Sequence, residues 1–143
     1  MATTTTFYNS FKKALLDKSI DFTNDTIKVA LCTSSYTPDY DAHDMFNDIT
    51  NEVGASGSYS AGGVALASKS TAQDNTDNEG VFDANDISIT SATITARYAI
   101  IYKDTGVAST SPLIACVDFG ENKASASGTF GITWNAEGII NVN

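Results

Sequence analysis

The chain reads as a mainly β protein: an antiparallel β-sandwich or jelly-roll-like barrel of about seven to eight strands with a short N-terminal helix. Three observations predict this class. Apolar residues alternate over short runs such as Ile27-Lys28-Val29 and Phe130-Gly131-Ile132-Thr133-Trp134, the two-residue period of a half-buried strand. Turn residues separate these runs. Helical spacing dominates only near the front, so the strand-helix alternation of a parallel α/β fold is missing.

The organising stretch is Thr93–Lys103, followed after a turn by Leu113–Phe119. Simple alternation puts Ile94, Ala96, Tyr98, Ile100 and Tyr102 on one face and Thr93, Thr95, Arg97, Ala99, Ile101 and Lys103 on the other. The second face turns apolar at Ala99 and Ile101, which predicts a central strand covered on both sides over half its length. Asp104-Thr105-Gly106 turns the chain and Pro112 restarts it in extended form, giving a hairpin.

Thr4–Thr6 offer capping hydroxyls to a predicted helix over Phe7–Lys18, whose aromatic stripe of Phe7 and Phe11 is core or, alternatively, docks on a neighbouring subunit. Ile27–Thr33 is a strand with Ile27, Val29 and Leu31 inward. Ser34–Asp44 is an irregular excursion, and Met45–Val53 is one or two helical turns burying Met45, Phe46, Ile49 and Val53. Gly54–Gly63 is an exposed, glycine-rich loop that permits left-handed backbone. A strand starts at Val64, and Ser68–Gly80 is a polar, solvated turn. Val81–Ala84 and Ile87–Thr90 are short strands. Gly120–Gly128 is a loop, Thr129–Trp134 a strand with Phe130, Ile132 and Trp134 on one face, and Ile139–Val142 the last strand.

The 143 residues fit one domain, 1–143, with an arm and helix over 1–19 and the sandwich over 27–143. Eight basic against 17 acidic residues leave a net charge of -9, which repels a phosphate backbone; direct nucleic-acid binding is not expected. The acidity serves solubility or meets a basic partner. Cys32 and Cys116 lie in apolar runs and read as free, inert thiols suited to a reducing cytoplasm. The first residues lack a secretory signal and no apolar run approaches the roughly 20 residues of a membrane span, so a soluble chain without membrane contact is expected.

Catalytic patterns are weak. The glycine-rich loop leads into a strand and lacks the Gly-Lys-Ser/Thr of a phosphate loop. Asp74–Gly80 supplies oxygen ligands that invite calcium, but its glycine comes one place late for an EF-hand and Asn85 stands where the twelfth-position Glu would be. A solvated turn is the expectation. His43, the only histidine, lies among Asp39, Asp41 and Asp44 with too few nitrogen or sulfur ligands for zinc. No Gly-x-Ser-x-Gly elbow occurs, and Asp83 and Asp86 are loop neighbours rather than a demonstrated acid-base pair. No enzyme activity and no cofactor are expected. Arg97, the only arginine, stands mid-strand and requires a carboxylate partner, within the chain or across a subunit contact.

Thr50-Asn51-Glu52-Val53, Tyr59–Leu66, Thr95–Tyr102 and Thr129–Asn135 together resemble small virion structural proteins of tailed bacteriophages, over about Lys28 to Ile139. The resemblance implies a particle component assembled in the bacterial cytoplasm. Its expected role is a capsid decoration (cement) protein, with the major capsid protein and copies of itself as partners; a head-tail connector or tail protein is the alternative. A third reading is a host-surface carbohydrate-binding module using Tyr36, Tyr40, Tyr59 and Trp134 for stacking. Expected contact residues are Phe7, Tyr8, Phe11, Tyr36, Tyr40, Gly57, Tyr59, Gly62, Gly63 and Arg97, and removal of residues 1–11 is expected to weaken particle association more than domain stability.

Overall fold

A computed structural model describes residues 2–143. In chain order the elements are β1 (Thr4–Phe7), α1 (Asn9–Asp17), β2 (Ile27–Cys32), β3 (Val64–Ala65), β4 (Ser70–Asp74), β5 (Glu79–Asp83), β6 (Ile87–Lys103), β7 (Leu113–Ile132) and β8 (Ile140–Val142). Single 3-10 turns occupy Phe46–Asp48 and Ala108–Thr110. All strand pairs are antiparallel. They form a five-stranded sheet in the order β1-β7-β6-β2-β3 and a three-stranded sheet in the order β4-β5-β8. The chain is therefore mainly β with two antiparallel sheets and one short helix, consistent with the predicted sandwich.

The spine is the β6–β7 hairpin. β6 runs for 17 residues and β7 for 20, so the runs read as separate strands at Ile87–Thr90 and Thr93–Lys103 are one element, and so are Leu113–Phe119 and most of Thr129–Trp134. Gly120–Gly128 is strand rather than loop: Lys123, Ala124 and Ser125 pair with Ala96, Thr95 and Ile94. Small and polar residues have weak intrinsic strand preference, but a long partner ladder supplies the backbone hydrogen bonds and overrides it. Interruptions survive as bulges, with left-handed backbone at Ser91, Gly120 and Ser127 and register shifts along the pair.

One bulge corrects the face assignment. The register shifts between Ala96 and Tyr98, so Ile94 and Ala96 share the core layer of Ala99 and Ile101, while Tyr98, Ile100 and Tyr102 turn to the opposite layer. Between these pairs β6 advances from Ala96 to Tyr98 while β7 advances from Lys123 to Asp118, and the strict two-residue alternation of β6 is broken across this irregularity. The double cover expected for this strand is present: Ile101 packs in the layer containing Phe11, Phe82, Ile89 and Ile140, and Ile100 in the layer of Tyr8, Cys32, Tyr36, Leu113 and Cys116. The irregular excursion after β2 and the segment that follows it supply the lid of this second layer, through Tyr36 and Tyr40 and through Phe46 and Ile49.

At the front, the threonines do not cap the helix. Thr4–Phe7 pair with Asp118–Ala115 as an edge strand, a pleated role that suits β-branched residues, and Tyr8 occupies the N-cap without a side-chain bond. Tyr8 and Phe11 are fully buried and Phe7 is half-buried against the first layer. The stripe is core, so truncation through residue 11 removes part of the fold. Met45–Val53 holds only the Phe46–Asp48 turn; Val53 reaches the core, and Phe46 stacks on Tyr102 with ring centroids 4.1 Å apart. Ser70–Asp74, expected in a solvated turn, pairs with β5, and only the hairpin tip between Asp74 and Glu79 is turn. Trp134 lies just beyond β7, partly buried, its indole N–H donating to the Asn85 carbonyl at 3.1 Å.

Candidate functional site

Three groups of polar residues emerge from this frame. The first lies in the second core layer, where a short extended segment delivers Tyr8 and the excursion after β2 delivers Tyr36 and His43. The Tyr8 and Tyr36 hydroxyls are 2.9 Å apart, and the Tyr36 hydroxyl is 2.9 Å from His43 Nδ1, which also accepts the Asp39 N–H at 3.3 Å. The Asp39 carboxylate accepts the Ala42 and Asp41 N–H groups, which hold its pKa below the usual value, so it serves the loop. Burial drives the Tyr8 and Tyr36 phenols above their ordinary range and Tyr40 to about 12. The Cys32 and Cys116 thiols are free, fully buried and pushed up to about 12, chiefly by desolvation. A thiol in this state is a packing group, as its apolar setting predicts.

The second group fixes the glycine-rich loop. The Tyr59 hydroxyl donates to Glu52 Oε1 at 2.8 Å and accepts the Leu31 N–H at 2.8 Å; Gly62 N–H adds a bond to the same carboxylate oxygen at 2.7 Å. Gly57 and Gly63 have φ near +56° and +92°, and a Cβ at either would stand 2.1 Å from the carbonyl oxygen of Thr90 or Val29. The glycines serve close approach to the chain's own backbone. The Tyr102 hydroxyl donates to the Gly62 carbonyl. The loop is therefore bound to β2 and β6 rather than free.

The third group is charged. Arg97 donates to Asp118 through Nε at 2.6 Å and Nη2 at 3.3 Å, and its guanidinium lies 5.6 Å from the Tyr98 ring centre. Asp118 also accepts the Gly120 N–H, and its carboxyl is held below the usual value, chiefly by Arg97. The carboxylate partner expected for Arg97 is thus within the chain, across the bulge. At the hairpin tip, Asp74, Asp77 and Glu79 meet Glu137 from the turn before β8, with carboxylate oxygens within 4.8 Å of one another. Oxygen donors of this kind suit a hard cation. The local sequence supplies three members; the fourth arrives only by folding, and the arrangement is not an EF-hand loop. Asn141 ties the group together by donating to Glu79 and to the Glu137 carbonyl. Asp83 and Asp86 do not form a pair: each accepts a main-chain N–H, from Ala84 and Trp134 respectively.

Of the expected contact residues, Tyr8, Phe11, Tyr36 and Tyr59 are buried in the chain, and Arg97 is engaged with Asp118. Tyr40, half-buried, packs on Tyr8 at 5.3 Å between ring centres. Gly62 and Gly63 are half-buried, while Gly57 is exposed on one side and closed against Thr90 on the other. Burial of Tyr36 and Tyr59 also removes two of the four rings suggested for sugar stacking. The surface left accessible includes the outer side of the distal β6–β7 hairpin, where Ser88, Thr90, Thr93 and Thr95 alternate with buried Ile87, Ile89, Ala92 and Ile94 across the Ser91 bulge. A groove of about 650 Å³ opens beside the same hairpin, floored by Phe119, Phe130, Ile132, Trp134 and Ile139. Among the described residues, no helix is long and apolar enough to cross a membrane. Comparison with protein-family models, curated proteins and solved structures finds no match.

Proposed function

We propose that the chain is a non-enzymatic structural protein of a tailed-bacteriophage particle, a capsid decoration protein that binds the major capsid protein and stabilises the shell. The reading rests on the resemblance of its strand and turn motifs, and one observation carries it further: the uncharged, hydroxyl-bearing outer face of Ser88, Thr90, Thr93 and Thr95 stands on a sheet whose reverse side is core. Such a face is rigid and hydrogen-bonding, and it requires no buried charge to lose its water on docking. Contacts of roughly 800 Å² per partner, repeated by the symmetry of a shell, add up to stable cementing. In this reading the aromatic residues build the domain and the threonine face meets the shell.

Purified protein is expected to bind empty shells and to raise their resistance to heat and low salt. Thr90→Lys with Thr95→Lys should lose binding while retaining the melting temperature of the wild type. Absence of wild-type binding, or unchanged shell resistance, overturns the decoration role. Copy number separates the connector alternative: hundreds per particle fit decoration, and about a dozen fit a connector.

A further inference from the structure

One apolar surface of the molecule is uncovered and flanked by opposite charges. Leu16 of α1 is 89 % exposed, and its neighbour Leu15, which lines one groove with Val142, is 38 % exposed, Val142 itself 42 %. Leu15, Phe22, Val81 and Val142 help line a groove of about 160 Å³ between the helix and the β4-β5-β8 sheet. An apolar space near 150 Å³ holds a benzene-sized group, so one aliphatic side chain fits.

The charges on either side have opposite sign. The helix end carries Lys12, Lys13 and Lys18; Lys13 is paired with Asp17, whereas Lys12 and Lys18 are in no ion pair among the described residues. At the other end lies the quartet Asp74, Asp77, Glu79 and Glu137. The two regions are continuous, because Thr71, Ala72, Gly80 and Val142 line both the apolar groove and the polar recess containing Asp74 and Glu79. The order across this surface is basic, apolar, acidic. A surface so ordered is complementary to itself after a two-fold rotation, which brings each basic end over the other copy's acidic end.

We propose that two copies of this chain associate through this face, each placing Leu16 in the groove of the second copy and Lys12 and Lys18 against its acidic quartet. The net charge of -9 opposes any encounter between copies at long range. The lysines offset the largest local concentration of negative charge, and physiological salt screens the remainder over about 8 Å. The association concerns the isolated protein and stands or falls separately from shell binding.

Sedimentation equilibrium of the full chain at about 0.15 M salt tests the proposal. The wild type is expected to be a concentration-dependent dimer. Leu16→Glu should raise the dimer Kd at least about tenfold, with a melting temperature equal to that of the wild type when both are diluted to monomers, since the side chain is exposed in the single chain. The double variants K12E/K18E and D77K/E137K should each weaken self-association about tenfold or more, because each sets like charges opposite each other. Mixed in equal amounts, they should form heterodimers with near wild-type affinity, since both charge contacts are then restored. A wild type that stays monomeric up to about 1 mM, where only associations weaker than about -4 kcal/mol escape detection, overturns the proposal. So does a dimer unaffected by Leu16→Glu, or charge variants that fail to recover on mixing.

Discussion

The hydroxyl of Tyr59 bridges the Glu52 carboxylate and the Leu31 N–H, both at 2.8 Å, so one phenol satisfies a main-chain donor of β2 and holds the glycine-rich loop in place. Strand β3 is only two residues long and pairs with Lys28 and Val29, leaving Leu31 beyond its reach. Tyr59→Phe keeps the ring but leaves a buried N–H without its acceptor. The expected cost is about 1–3 kcal/mol in urea unfolding, with the slope of the transition unchanged.

Glycines in this chain separate by what surrounds them. Gly63→Ala adds a Cβ in a left-handed conformation 2.1 Å from the Val29 carbonyl oxygen, whereas Gly106, at φ +86°, has nothing within 4 Å of that position. Gly106→Ala should cost only the left-handed penalty of about 1–2 kcal/mol. Gly63→Ala adds overpacking, and a total above about 3 kcal/mol is expected. Equal melting temperatures for the two variants would show that the loop does not touch β2.

The Arg97–Asp118 pair makes stability depend on acid. Asp118 has a folded pKa below its ordinary 3.8, chiefly through Arg97. Its contribution is therefore complete above 3.8, declines as the pH falls from there toward the folded value, and is gone below it. Asp118→Asn should be less stable than wild type at pH 7, by an amount kept small by solvent around the pair. The difference should shrink on acidification below 3.8; a gap independent of pH would mean that the carboxylate charge contributes nothing. Denaturant midpoints collected across that range measure it.

Two residues of one helix should respond in opposite ways. Phe11 is fully buried against Phe7 and Phe22, with ring centres 5.2 and 5.8 Å away, while Leu16 is almost wholly exposed. Phe11→Ala is expected to cost about 3–5 kcal/mol, and Leu16→Ser in dilute protein less than about 0.5 kcal/mol. Thermal melts distinguish them, and the same experiment on a chain lacking residues 1–11 should show loss of cooperative folding.

What the sequence shows is what local periodicity can encode. The alternation at Ile27–Leu31, the double-sided apolar character of Ala99–Ile101 and the need of Arg97 for a carboxylate are all legible, because each follows from a residue and its immediate neighbours. Strand continuity is less so: Gly120–Gly128 has the composition of a loop and becomes strand through the ladder offered by Ala92–Ala96. The contact residues misread as surface, Tyr8, Tyr36 and Tyr59, carry a hydroxyl whose partner lies 28 or 7 positions away, a distance at which pattern gives no signal.

By itself the sequence determined the class of fold, the excess of acidic residues and the unreactive setting of the two thiols, all of which depend on composition or on short-range order. Tertiary structure alone decided that the faces of β6 exchange at the irregular pairing around Arg97, that four threonine-rich residues at the front join a sheet instead of a helix, and that Glu137 joins three carboxylates at a distant turn. Each of these depends on which segment lies opposite another. That pairing is set by the summed packing of the whole chain.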